Sequence, residues 1–119
     1  TNGVIIMKFF LHLGKEEQRQ RLLRRLETEK HNWKFSPGDL EERKLWDNYQ
    51  KCYEDILNKT SKEYAPWFIV PADNKETARY IVAKTILDEL NNYTFHYPEL
   101  DQDIKDNIKT YHDYLSTEK

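Results

Sequence analysis

Val4-Ile5-Ile6-Met7-Lys8-Phe9-Phe10-Leu11-His12-Leu13-Gly14-Lys15-Glu16-Glu17 is the stretch on which the fold turns. Val4 to Leu13 is β-branched and aromatic, and nearly continuous in its apolar character. A strand buried on both faces, as in a parallel sheet, reads this way. Gly14 punctuates the run. Lys15-Glu16-Glu17 then opens a helix with acids in its first turn, where the helix dipole favours them. The helical reading extends through residues 15 to 34, with Leu22, Leu23 and Leu26 as a narrow apolar face. It overlaps a connector at Asn32 to Gly38.

Further along, Ser36-Pro37-Gly38-Asp39 is a helix start: Ser as N-cap, Pro at the first helical position, an acid three residues after the cap. The helix it opens is expected from Pro37 to about Leu57. Its apolar positions Leu45, Trp46, Tyr49, Cys52, Tyr53, Ile56 and Leu57 follow three-four spacing. Thr60 to Tyr64 ends it. Pro66-Trp67-Phe68-Ile69-Val70-Pro71 reads as a second buried strand. Asp73 to Glu76 reads as a capping box for a helix from Asn74 to about Asn91, with Ala78, Ile81, Val82, Thr85, Ile86 and Leu90 on one face. Leu100, Ile104, Ile108, Tyr111 and Leu115 predict a last helix, whose segment from Glu99 holds six acids against three bases. Strands alternating with helices point to an α/β fold with a parallel sheet, rich in helix. Two strands are too few to stand alone, which suggests further strands upstream or pairing with another chain.

The 119 residues suit one compact domain or a piece of a larger one, and three Trp, eight Tyr and five Phe can supply a core. No run of 18 apolar residues predicts a membrane span. The opening Thr1-Asn2-Gly3-Val4 lacks the basic stretch of a signal peptide, and a start without methionine that goes at once into a strand has the look of a fragment. Cys52 is the single cysteine, which fits a reducing cytoplasm. A net charge of -2 argues against a general nucleic-acid binder. Positive charge is nevertheless concentrated: Arg19, Arg21, Arg24, Arg25, Lys30 and Lys34 fall within sixteen residues, opposed there only by Glu27 and Glu29. A local crowd of guanidinium and ammonium groups near a strand-to-helix junction is the footprint of a phosphate-rich ligand.

Several motifs occur together and in order. They are Lys8-Phe9-Phe10-Leu11-His12-Leu13 followed by Lys15-Glu16-Glu17-Gln18, Arg21 and Arg25; Asn32-Trp33-Lys34-Phe35-Ser36-Pro37 with Asp39; Trp46 with Tyr49; Ala65-Pro66-Trp67; and Lys75 with Arg79. With these the chain resembles the C-terminal half of the polyphosphate kinase 2 family, over about residues 4 to 90. The resemblance implies a P-loop kinase-like α/β core with a helical lid. Residues 1–92 would be the C-terminal half of that domain, with lid helices at about 15–59, and residues 93–119 a helical extension beyond the match. It implies transfer of phosphate between polyphosphate and a nucleoside mono- or diphosphate, with Mg2+, in a cytoplasmic homo-oligomer that needs neither membrane nor nucleic acid. On this resemblance Arg21 and Arg25 are catalytic, and Lys30, Lys34, Lys75 and Arg79 bind phosphate. The family's Gly-x-Asp-x-x-Gly-Lys loop and its Asp-Arg magnesium motif lie before the matching segment. Here Gly3, Gly14 and Gly38 are too scattered to form such a loop, and no metal-ligand pair is evident. Phosphoryl transfer needs a backbone cradle, a metal and cationic clamps together. Only the clamps are present, so the chain alone is expected to be inactive.

Each residue has a blander reading. Arg21 and Arg25, four apart, share a helix face. Spacing alone favours a solvated face paired with Glu17 and Glu29, and the resemblance reverses this. Arg19 and Arg24 read as surface. Lys34 on a mobile connector can swing onto a phosphate, and Lys30 is equally well solvated. Lys75 and Arg79 begin a helix after a core strand, where ligands bind in parallel sheets. Trp33, Trp46, Tyr49 and Tyr53 read as packing, Asp39 and Asp73 as caps, His12 as a satisfied core histidine, and Cys52 as an inert core thiol. His31, His96 and His112 lack metal-ligand spacing. Two rivals accompany the kinase reading: a non-catalytic module that binds polyphosphate, and a structural helical domain whose arginines form surface ion pairs.

Overall fold

Parallel strands cannot be joined by a hairpin, and the long crossover they require is where this chain places most of its helices. A computed structural model describes residues 3–119. Thr1 and Asn2, on which the readings of the chain start partly rest, lie outside the described residues. Strand β1 (Lys8–His12) pairs in parallel with β2 (Trp67–Pro71), Lys8 opposite Trp67 and His12 opposite Pro71. Between them run α1 (Lys15–Glu27), a 3-10 segment (Glu29–Lys34), α2 (Pro37–Lys44) and α3 (Trp46–Thr60). Helix α4 (Lys75–Leu90) follows β2 and packs against it, and α5 (Gln102–Thr117) ends the chain.

The described core is small. Ala65, Val70 and Ala78 are its buried apolar residues, and Val70 alone is fully enclosed. Phe9 and Phe68 stack across the strand pair with ring centres 5.4 Å apart. The expected burial of β1 on both faces does not occur. The strand is only five residues long because β2 offers five partners, and Leu11 and Ile69 remain largely exposed. His12, expected in the core, is exposed on the same account, and so is Cys52.

Both long helices of the crossover break where backbone bonds change register. The helix over residues 15 to 34 stops at Thr28, which is extended (φ -109°, ψ 108°). The Asn32 side-chain amide donates to the carbonyls of Arg25 (2.8 Å) and Leu26 (2.9 Å), satisfying acceptors that the helix end leaves open. The helix expected from Pro37 to Leu57 is interrupted at Leu45 (φ -89°, ψ 14°), whose N–H donates to the Glu42 carbonyl three residues back. That tighter bond turns the chain before α3 resumes. The start of α2 follows the sequence: the Ser36 hydroxyl accepts from Gly38 N–H and the Asp39 carboxylate from Ser36 N–H, a capping box with Pro37 at the first position. The start of α4 differs. Asn74 is the cap, accepting from Thr77 N–H at 2.9 Å, and Asp73 is freed for another task.

The radius of gyration is 24.3 Å, against about 13–14 Å for a compact chain of this length, and the extents are 68 × 42 × 23 Å. Every residue of α5 is exposed, as are Ile104, Ile108 and Leu115 along its apolar stripe.

Candidate functional site

Where β1 passes into α1, Gly14 lies against the end of β2. Its N–H donates to the Asp73 carboxylate at 2.7 Å, and a Cβ at this position would meet that carboxylate at 3.1 Å. The close approach suits glycine, and it fixes the first turn of α1 against the turn that leads into α4. Arg21, two helical turns further on, reinforces the junction. One terminal nitrogen donates to the carbonyls of Ala72 (2.9 Å) and Asp73 (3.0 Å), while its Nε binds the Glu17 carboxylate at 3.0 Å.

Opposite this junction, α2 and α3 turn back to form a groove of about 620 Å³. Its floor is the end of β1, Phe10 to His12, with Leu13 just beyond it. One wall is the Gln18, Arg21, Leu22 and Arg25 face of α1, and the other carries Asp39, Glu42, Arg43, Trp46, Tyr49, Gln50 and Tyr53. Phe10 meets Tyr53 at 5.0 Å between ring centres, and Tyr53 lies 6.0 Å from Tyr49. Trp46, Tyr49 and Tyr53, expected in the core, thus line an open groove with partly exposed rings. The Tyr49 hydroxyl donates to the Glu42 carboxylate, which raises the phenol above its usual pKa.

Arg21 and Arg25 both face this groove, as their four-residue spacing implies. Arg25 Nη1 lies 3.7 Å from the Asp39 carboxylate and donates to the Lys34 carbonyl at 3.4 Å. Asp39 therefore caps α2 and also faces a groove arginine. The acids of the first turn of α1 do more than complement the dipole. Glu16 holds Arg19 at 2.7 Å, and Glu17 holds both Arg21 and Arg24. Hydrogen bonds from Arg19 and Gln20 hold the Glu16 carboxyl down to about 2, and those from Arg21 and Arg24 lower Glu17. The cationic crowd is thus divided. All four have partners, but Arg19 and Arg24 lie outside the groove, and Arg21 and Arg25 line it.

The other four candidates lie elsewhere. Lys30 and Lys34 sit exposed on the 3-10 segment, the Lys34 ammonium 5.4 Å above the ring of Trp33. Lys75 and Arg79 are exposed on the first turns of α4, whose start is held to α1 through Arg21. None of the four lines the groove. Sequence reasoning missed Arg43, which lines it and reaches across to α1. The available signal was its position four residues after Asp39, on the same helix face. Among the described residues, no three His, Cys, Asp or Glu side chains gather in a group able to hold a metal. No helix among them is long and apolar enough to cross a membrane.

The model of the family described as Polyphosphate kinase 2 matches residues 1–97. An ADP-polyphosphate phosphotransferase of Rhodopseudomonas palustris is 52% identical over 99 residues, which are 83% of this chain and 34% of that protein. An AMP/ADP-polyphosphate phosphotransferase of Meiothermus ruber is 45% identical over 97 residues, 82% of this chain and 36% of that protein. The crystal structure of polyphosphate kinase 2 from Arthrobacter aurescens TC1 superposes with a TM-score of 0.82 at 39% identity, covering 93% of this chain and 40% of that one. The chain thus spans between about a third and two fifths of the length of these three proteins. With most of its length inside the family match, and with the parallel strand pair and groove just described, the chain belongs to the polyphosphate kinase 2 family.

Proposed function

We propose that this chain supplies the lid and cationic phosphate clamps of a polyphosphate:nucleotide phosphotransferase, which moves phosphate between polyphosphate and a nucleoside mono- or diphosphate. The observation that carries the reading is the groove itself. Two guanidinium groups on one face of α1, Arg21 and Arg25, overlook a partly enclosed space between β1 and α3. Polyphosphate and a nucleotide present closely spaced oxyanions, and forked guanidinium groups bridge such oxygens while offsetting charge on the transferred group. Lys30, Lys34, Lys75 and Arg79 lie outside the groove, on surfaces where a longer phosphate chain could follow them as point charges. The chain carries no Gly-x-Asp-x-x-Gly-Lys sequence. The backbone cradle and Mg2+ would come from other parts of a full-length kinase, in which this segment acts as one portion of a cytoplasmic homo-oligomer.

The test uses the native full-length polypeptide containing this chain, incubated with polyphosphate, Mg2+ and ADP or AMP, with nucleotide products resolved by chromatography. Phosphorylated product is expected, and Arg25→Ala is expected to lower turnover at least about tenfold, or about 1.4 kcal/mol. Polyphosphate binding without any product would instead identify a non-catalytic binding module. Near-wild-type kinetics of the variant would remove Arg25 from the clamp.

A further inference from the structure

We propose that Arg43 is a positioning residue that sets the width of the groove by tying α2 to the first turn of α1. The inference rests on the phosphotransferase reading for its kinetic arm. Arg43 Nη1 donates to the Lys15 carbonyl at 2.9 Å and to the Gln18 side-chain oxygen at 3.0 Å, spanning 28 and 25 residues of sequence. Its guanidinium carbon lies 6.0 Å from the centre of the Trp46 ring, within range of a cation–π contact. None of α1, α2 or α3 contains a buried residue. Their mutual placement therefore depends on side-chain ties more than on an apolar seam. Two such ties join α1 to α2. Arg25 meets Asp39 near the end of α1, and Arg43 meets Lys15 and Gln18 at its beginning.

Asp39 and Arg43 are one helical turn apart, so the two ties form a pair of struts along one face of α2. The Arg25 strut is long, at 3.7 Å, and engages a group assigned to phosphate. The Arg43 strut consists of two bonds of ordinary length to neutral acceptors on α1. When phosphate draws Arg25 away from Asp39, the Arg43 strut still holds α2, and with it the Trp46 and Tyr49 wall, opposite Arg21 and Arg25. Arg43 thus acts through the arginines across the groove, without itself contacting the transferred group.

Gln18 separates this role from simple attraction of anions, because removing it breaks one of the strut's two bonds and leaves the charge in place. In the full-length kinase, Arg43→Ala is expected to raise KM for polyphosphate at least about tenfold with kcat changed by less than about threefold. Gln18→Ala should raise KM in the same direction by a smaller factor, and the double variant should be no worse than Arg43→Ala, as expected of partners in one contact. Arg43→Lys, which can still reach one acceptor, should recover part of the loss. Additive effects of the two alanine variants, a silent Gln18→Ala, or a loss confined to kcat would overturn the assignment. An arm independent of turnover is amide hydrogen exchange of the same proteins. Arg43→Ala should speed exchange across Pro37–Trp46 and leave β1 and β2 unchanged, and equal protection of α2 in both proteins would overturn the assignment even where no turnover is measured. Absence of turnover in the wild type with faster exchange in the variant would count against the phosphotransferase reading and support the strut.

Discussion

The strand pair with α4 and the helices that cross between the strands are built on different physics. Under the groove, Val70 is enclosed, α4 packs against β2 with Ala78 buried, and Phe9 stacks on Phe68. Above it, α1, α2 and α3 bury no residue at all and are placed by Arg21, Arg25 and Arg43 reaching to carbonyls and carboxylates. Apolar burial fixes a geometry because every alternative arrangement exposes surface to water. A solvent-exposed ion pair or hydrogen bond of a guanidinium contributes little net stability, because water competes for the same groups. The lower region is therefore suited to be a fixed platform. The upper one can exchange an internal partner for a ligand at small cost, and in two of its three ties the exchangeable group is an arginine assigned to phosphate.

The sharpest way to break this contrast is to attack the platform. Val70→Asp places an unpaired carboxylate in the one fully enclosed position among the described residues, and it should lower stability on the order of 3 kcal/mol, read as a shift in the urea midpoint. A negligible shift would mean that the strand pair is not the fixed part. Ser36→Ala acts on the upper region. It removes the acceptor for Gly38 N–H and should cost about 1 kcal/mol locally, visible as faster hydrogen exchange over Pro37–Lys44 with little change in global unfolding. Loss of global stability of the same size as for Val70→Asp would erase the distinction.

The smallest effect concerns pH. Glu16 has a carboxyl lowered from 4.5 to about 2 by Arg19 and Gln20. A depressed folded-state pKa contributes stability that is fully present above 4.5 and is lost as pH falls toward about 2. Helicity of α1 should therefore decline over that window, and Glu16→Gln should flatten the decline. Glu17, lowered by Arg21 and Arg24, adds in the same direction. An unchanged acid profile in Glu16→Gln would show that the first-turn ion pairs contribute nothing to α1.

Much of this architecture was legible in the residues. The apolar run from Val4 to Leu13 and the proline-bounded run at 66–71 gave the strands, and Ser36-Pro37-Gly38-Asp39 gave the start of α2 with its capping box. Motif order gave the family, which the match over residues 1–97 bears out. The breaks at Thr28 and Leu45 were not legible. Each depends on a specific partner, the Asn32 amide in one case and the Glu42 carbonyl in the other, and neither Thr28 nor Leu45 is itself a helix breaker. Asp73 was taken for a cap because it stands three residues before Glu76, whereas its carboxylate reaches Gly14, 59 residues away in sequence. The aromatic rings of α3 read as core because periodicity reports which face is apolar and says nothing of what covers it. In the groove, Arg21 and Arg25 were legible from spacing together with the family motif. Arg43 was missed because its partners, Lys15 and Gln18, become neighbours only after the chain turns at the 3-10 segment.

The most direct test compares the two pairs of arginines on α1. Arg21→Ala/Arg25→Ala and Arg19→Ala/Arg24→Ala remove equal charge from the same helix, one pair from the groove and the other from the surface. Under the proposed function, polyphosphate-dependent nucleotide phosphorylation by the full-length polypeptide containing this chain should fall at least about tenfold for the groove pair and stay within about twofold for the surface pair. Equal losses in the two double variants would contradict the account, because the helix would then act through its bulk charge and not through the groove.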